Sequence, residues 1–404
     1  MGEPLVVIGN GMAAMHLVEE LTRRALGRFA VAVVGEEPQL AYNRVLLSAV
    51  LAQEVSRTDI ELRPARWWSD RGVTLLYGRT AIGIDPSIRR VRLADGPTLP
   101  YARLVLATGS RPIRLGVPGM ELPGVMTFRD LGDVATIEAA AARRIKAVVI
   151  GGGLLGLEAA YGLAKAGSQV TVVHLMDRLM ERQLDARAGD MLKRAVEALG
   201  IAVLLNAETI GIRGKRHAEA VALKDGTQIE ADLVVVAAGI RPNIDLARTA
   251  DLGINRGILV DDHLQTSRPD IHAIGECAEH RGVCYGLVEP AYEQARVLAA
   301  HLAGEDLQYP GSVLATNLKV SGVNVFSAGN FLGASGTEQL VFSDPGLGTY
   351  KKLAISDGRL VGAVLFGDTA DGLWYLELIR SGASINSFRD DLVFGRALAE
   401  RMAA

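Results

Sequence analysis

Two short apolar runs, Leu5-Val6-Val7-Ile8 and Ala147-Val148-Val149-Ile150, lead straight into glycine, and a helical pattern of apolar and polar positions follows each. Continuous β-branched runs of this length, bounded by glycine, predict parallel strands buried on both faces rather than solvated edges. The helix after the first is expected over Met12 to Arg24. Another apolar run, Phe29 to Val34, predicts a second strand beside the first. Leu104-Val105-Leu106 and Leu233-Val234-Val235-Val236 predict two more, each closing on small residues, Ala107-Thr108-Gly109 and Ala237-Ala238-Gly239. The repeat is therefore of whole domains. Near the C-terminus, Leu353 to Leu365 alternates around Asp357-Gly358 as a hairpin should, and Leu373 to Ser381 reads as a helix.

The two strand-to-helix turns are Gly9-Asn10-Gly11-Met12-Ala13-Ala14 and Gly151-Gly152-Gly153-Leu154-Leu155-Gly156. In such a turn the first glycine bends the chain and the second lets a pyrophosphate approach the backbone; the third position needs a small residue for close helix-to-strand packing. The phosphates would meet the free amides of the helix N-terminus. One turn binds one dinucleotide, so two imply a pair. Glu36 lies 27 residues beyond Gly9, at the end of the second strand, where a carboxylate can accept from both ribose hydroxyls of an adenosine. Arg44, in Tyr42-Asn43-Arg44-Val45-Leu46-Leu47-Ser48, could neutralise pyrophosphate or stand as a surface arginine. The small residues Ala107 to Gly109 would let backbone come close to a flat ligand.

Composition narrows the classes. With 404 residues, 49% of them hydrophobic, the chain is long enough for two or three domains with sizeable cores. A net charge of −3 without clustered Lys or Arg excludes a nucleic-acid footprint. The N-terminus enters the first strand without a basic leader, and no apolar stretch approaches the roughly 20 residues of a membrane span, so a cytoplasmic location is expected. Two cysteines, Cys277 and Cys284, make neither a disulfide framework nor a four-ligand zinc site, and no metal is expected.

Together with Ile271-His272-Ala273-Ile274-Gly275-Glu276-Cys277-Ala278, these motifs resemble the two-dinucleotide-binding flavoproteins, the family of glutathione reductase, NADH oxidases and ferredoxin or rubredoxin reductases. The resemblance covers almost the whole chain. It implies an α/β fold with two Rossmann-like domains: an FAD domain over residues 1–114 and 240–309, split by an inserted NAD(P) domain over 115–239. A C-terminal α+β interface domain would occupy 310–404. FAD would be held by Gly9, Gly11, Met12, Ala13, Ala14, Glu36, Arg44, Ser48, Ala81, Ala107, Thr108, Gly109, Arg111, Gly275 and Glu276, the last standing where the family usually has Asp. NADH or NADPH would be held by Gly151, Gly153, Leu154, Leu155, Gly156, Glu158, His174, Arg178, Ala238 and Gly239. Glu158 and Lys319 are the candidates beside the reacting rings.

Within the family the chain is most similar to the flavoprotein module of assimilatory nitrite reductase large subunits and to assimilatory nitrate reductase electron-transfer subunits. The stretches that carry this are Gly35 to Ser48, Leu179-Met180-Glu181-Arg182-Gln183-Leu184-Asp185, Gly275 to Gly282 and Leu318-Lys319-Val320-Ser321-Gly322. The disulfide-reducing branch carries two close cysteines where residues 40–60 have none, which excludes that mechanism. Ala49 stands where oxygenase-coupled ferredoxin reductases have lysine, and their aromatic flavin-site segment is missing around Thr316. Two cysteines also leave no ligands for iron–sulfur or siroheme domains, so this chain would not reduce nitrite. The implied activity is NAD(P)H oxidation through flavin, with electrons passed to an iron–sulfur carrier or a nitrate or nitrite reductase subunit. A rubredoxin or ferredoxin reductase of another pathway, and a sensor that binds NAD(P)H without turnover, are the alternatives; a monomer or homodimer is expected. Coenzyme choice stays open at His174, 23 residues beyond Gly151, where the family's NAD enzymes are acidic. A neutral imidazole could bond ribose hydroxyls, whereas His174 with Arg178 could accept a 2′-phosphate.

Overall fold

The computed structural model describes residues 2–320 and 322–403, so Ser321 of the signature stretch lies outside the described residues. The chain divides into two compact units, one of Met1–Val50, Val55–Pro112 and Ile240–Ser312, the other of Leu51–Glu54, Ile113–Gly239 and Val313–Ala404.

In the first unit five strands form a parallel sheet in the order Ile271–Ala273, Arg103–Leu106, Glu3–Ile8, Phe29–Gly35, Thr74–Tyr77. The first apolar run explains its central strand. Leu5 and Val7 pack into one core with Leu17, Val18 and Leu21 of the helix Met12–Arg24, whereas Val6 and Ile8 pack into another with Leu104 and Leu106. The helix ends in Arg23 and Arg24, cations that suit its negative C-terminal pole, and lies against the helix Val288–Ala303.

The second unit repeats the design. Its parallel sheet runs Ala202–Leu204, Gln169–Val173, Lys146–Ile150, Leu233–Val236, Val125–Thr127. Each unit also carries a three-stranded antiparallel sheet, Ala81–Asp85 with Arg90–Leu93 and Thr98–Pro100 in the first, Thr209–Arg213 with Ala220–Leu223 and Gln228–Glu230 in the second. Both sheets break register at the same place, between Ala81 and Gly83 and between Thr209 and Gly211. The copies differ in their fifth strand, which follows the others in the first unit and precedes them in the second.

The second unit also contains an antiparallel sheet ordered Ala315–Val320, Val323–Gly329, Arg359–Phe366, Thr349–Ser356, Glu338–Asp344, with the helix Gly372–Ser381 on it. Its hairpin turns at Asp357 and Gly358, both at positive φ (50° and 66°), as a two-residue turn with the twist of its strands requires. Asp185 ties this sheet to the inserted segment. It caps the helix Ala186–Ala198 by accepting from the Ala188 N–H at 3.0 Å, accepts the Tyr350 hydroxyl at 2.7 Å and lies 3.6 Å from Lys352 Nζ. All three side chains are buried, so removing one partner would strand a charge or a donor.

A cluster of imidazoles lies at the edge strand Ile271–Ala273 of the first sheet. The His272 ring is buried, 5.7 Å from that of His301, which is 4.9 Å from that of His263; Arg103 and Asp261 also face it. Burial, then the neighbouring His301 and Arg103, push His272 down from 6.5 to about 4. The unfolded chain therefore binds a proton between these values that the folded one refuses, and stability falls as pH drops through that window while nothing changes above it. The loss amounts to about 3 kcal/mol by pH 4. A His272→Leu variant should lose less stability than the parent between pH 7 and 4 in denaturant titrations, and equal losses would remove His272 from the account.

Candidate functional site

In the first unit the glycine turn leaves the central strand where the strand order reverses direction, the usual crevice of an open α/β sheet. Gly9 has φ +117°, and a Cβ there would sit 2.0 Å from the Ala107 carbonyl oxygen. Its N–H donates to Val34 O at 2.7 Å, and the Ala107 N–H donates to Ile8 O at 2.7 Å, so the turn is wedged between two strand ends. Gly11 differs: a Cβ there would meet nothing within 4 Å. It is the N-cap of the helix, which has no side-chain cap and no acidic residue in its first turn. Bare amides thus open on free space, a cradle that fits pyrophosphate. Ala14 fills the tight third position, fully buried, and Met12 and Ala13 are half-buried beside it.

The other expected flavin residues belong to the same unit. Glu36 is exposed just past Phe29–Gly35. Arg44 pairs with Glu37, which also accepts the Tyr42 hydroxyl at 2.6 Å, and its guanidinium stacks 4.9 Å from the Tyr42 ring centre. Burial opposes its charge, but Tyr42, Glu37 and Glu276 outweigh it, so Arg44 is a held cation and not a loose surface one. Ser48 is half-buried on the helix Leu47–Leu51, and half-buried Ala81 opens its strand opposite Leu93. Thr108 donates to Asn243 O at 2.8 Å, Ser110 donates to Glu276 at 2.7 Å, and Arg111 reaches Asn243 at 2.7 Å and Asp245. Gly109 stands within contact of Glu276, 3.8 Å from its carboxylate to a Cβ position, and Gly275 N–H donates to Gln294 at 2.7 Å. The longer side chain at Glu276 thus ties the strand end after Ile271–Ala273 to the strand Ser110–Pro112.

The second unit builds an equivalent turn. Gly151, at φ +126°, would place a Cβ 2.3 Å from Ala237 O, and Gly153 again faces space with nothing within 4 Å. Gly156 is stricter than Ala14, since a Cβ there would lie 2.0 Å from Gly151 O. Leu154 and Leu155 open the helix Leu154–Lys165, and half-buried Glu158 follows one turn on. Ala238 is half-buried, and exposed Gly239 accepts the Ile113 N–H at 2.9 Å. Buried His174 ends the strand beside the Gly151 strand. Its Nδ1 accepts the Gly152 N–H at 3.0 Å, which leaves the proton on Nε2, 3.1 Å from Glu181 Oε2. Arg178 bonds Asp177 at 2.9 Å and the Leu184 carbonyl at 3.3 Å. Lys319 is exposed on Ala315–Val320. All the expected flavin residues thus fall in the first unit, and all the expected coenzyme residues, with Lys319, in the second.

Residues 3–300 match the pyridine nucleotide-disulphide oxidoreductase family. The chain belongs to that family. Members bind FAD and NAD(P)H, and both cradles fit such groups. Residues 315–383 of this oxidoreductase match the rubredoxin NAD+ reductase C-terminal domain. It is 47% identical over 95% of its length to the nitrite reductase [NAD(P)H] of Bacillus subtilis (strain 168), and 43% identical over 91% to the assimilatory nitrate reductase electron transfer subunit of the same organism. It covers 48% of each, so the chain spans about half the length of these curated relatives. Among solved structures it superposes on the covalent putidaredoxin reductase–putidaredoxin complex with a TM-score of 0.89 and 25% identity, covering 99% of this chain and 98% of that one.

In this pyridine nucleotide-disulphide oxidoreductase both cysteines are free, Cys277 buried and Cys284 half-buried, and burial pushes both thiols up. They are neutral thiols at ordinary pH. Among the described residues no group of His, Cys, Asp or Glu could hold a metal ion, and no helix is long and apolar enough to cross a membrane. Glu181 is not marked by the sequence as the partner of His174. It appears in a signature stretch, but nothing periodic links it to His174 across an irregular loop.

Proposed function

We propose that the chain takes electron pairs from NADH or NADPH at the Gly151 turn, through FAD at the Gly9 turn, and delivers them to an iron–sulfur or reductase partner of nitrate or nitrite assimilation. The observation that carries this is the pair of open cradles over Gly11 and Gly153, each at the switch point of its own parallel sheet. Bound FAD accepts a hydride's two electrons and can release them singly, which suits one-electron carriers. The residues of the chain bind and align. The helix amides after Gly11 and the held Arg44 would balance one pyrophosphate, Glu36 would accept from a ribose, and the amides after Gly153 would take the second pyrophosphate. Glu158 would orient the nicotinamide end, with Lys319 the second candidate beside the reacting rings.

The assimilation role is supported by the names of the two Bacillus relatives, of each of which this chain covers 48%. The match of residues 315–383 to a rubredoxin reductase domain favours a second reading, a small rubredoxin or ferredoxin as acceptor. Anaerobic titration of the purified flavoprotein with NADH and NADPH, then turnover with rubredoxin, ferredoxin and assimilatory reductase subunits, tests both. Fast bleaching with many turnovers on one acceptor is expected, and bleaching without turnover on any protein would leave a sensor instead. Glu36→Ala should loosen FAD about tenfold. Flavin content unchanged through dilution and dialysis would take Glu36 out of the site.

A further inference from the structure

We propose that Glu181 reads the adenosine ribose diol of the coenzyme and that His174 positions it, which makes the chain prefer NADH to NADPH. The inference rests on the Gly151 turn being the coenzyme site.

His174 stands at the end of the strand next to the Gly151 strand, where a dinucleotide fold places the group that reads the ribose. Both its ring nitrogens are used inside the protein, one by the Gly152 N–H and the other by Glu181. A neutral imidazole has one donor and one acceptor, so His174 has nothing left for two hydroxyls. Its function is to hand the site on. The Glu181 carboxylate sits at the tip of the ring, half-buried with its side chain 23% exposed, and an ionised carboxylate offers about four acceptor positions, of which the imidazole takes one.

The loop is built to hold that carboxylate in place. Buried Leu179 and Met180 pack at the glycine turn, with the Met180 N–H donating to Gly152 O at 3.0 Å. Met180 takes φ +50°, a left-handed conformation that a long side chain adopts only when its surroundings impose it. This reverses the chain so that Glu181 folds back onto His174.

The cations that could favour a 2′-phosphate are placed poorly for it. Arg178 is committed to Asp177 and to the Leu184 carbonyl. Arg182 is 86% exposed and its nearest approach to Glu181 is 4.0 Å. A 2′-phosphate would instead bring about two negative charges against the Glu181 carboxylate.

Calorimetric titration of the 404-residue chain with ADP-ribose and with its 2′-phosphate derivative tests this without turnover. The parent should bind ADP-ribose at least about tenfold more tightly than the phosphate form. Glu181→Gln keeps the length and an oxygen to accept the His174 proton, and should narrow the gap to about threefold or less by removing the charge. His174→Phe should narrow it partly. General damage to the pocket would weaken both ligands alike and leave the ratio, so the ratio separates reading from scaffolding. Should Glu181→Gln not fold, 2′-deoxy-ADP-ribose on the parent serves, with an expected loss of about tenfold. An unchanged ratio in Glu181→Gln, or a 2′-deoxy compound that binds as well as ADP-ribose, overturns the inference and leaves the coenzyme site standing. A parent that binds neither ADP-ribose nor the phosphate form overturns both together.

Discussion

Gly153→Val should retain its FAD and lose at least about a hundredfold in the rate of flavin reduction by NADH or NADPH. The backbone at Gly153 has φ −81°, which any residue adopts, and the space beyond its Cα is empty. Valine therefore costs the fold little. What it removes is the approach of an anion to the bare amides that open the helix Leu154–Lys165. A hundredfold is about 3 kcal/mol, roughly two charge-assisted hydrogen bonds, so blocking the cradle is sufficient. Stopped-flow bleaching against flavin content reads both quantities, and a variant reduced at the parental rate would show that coenzyme does not use this turn. Gly156→Ala is a useful contrast. Its methyl would collide with Gly151 O at 2.0 Å, so it should damage the turn itself.

The matching change in the first unit, Gly11→Val, should yield protein that folds but is purified with less than about a tenth of the parental flavin. The logic is the same, since Gly11 also has an ordinary backbone, φ −103°, and open space above it. The outcome differs because a resident group is lost, not a passing one. Absorbance at the flavin band relative to protein, with circular dichroism for the fold, decides it. Full flavin content would move FAD away from the Gly9 turn.

These two substitutions could be chosen from sequence alone, because strand, glycine spacing and helix are local and each apolar run had one sensible reading. The duplicated domains were legible for the same reason. Other features were not. Ala14 and Gly156 look interchangeable as small residues, yet a Cβ on the second would meet the Gly151 carbonyl oxygen at 2.0 Å. Arg44 gave no hint that Glu37 holds it, because a short helical turn folds it back, and the Ser110–Glu276 bond joins residues 166 apart. The C-terminal sheet joins the inserted segment in part through Asp185 meeting Tyr350 and Lys352, a pairing that no periodicity encodes. His174 was located by counting, but its meaning depended on which groups already occupied its nitrogens.

The loop from His174 to Asp185 is anchored at both ends, by the glycine turn at one and by Tyr350 and Lys352 at the other. Between the anchors, Leu175, Met176, Asp177 and Arg182 are exposed. Mutations there can accumulate without disturbing either core. Such a segment is evolvable: it can drift while the scaffold stays fixed, and laboratory selection for a changed coenzyme should find its winners at Glu181 and among these exposed neighbours.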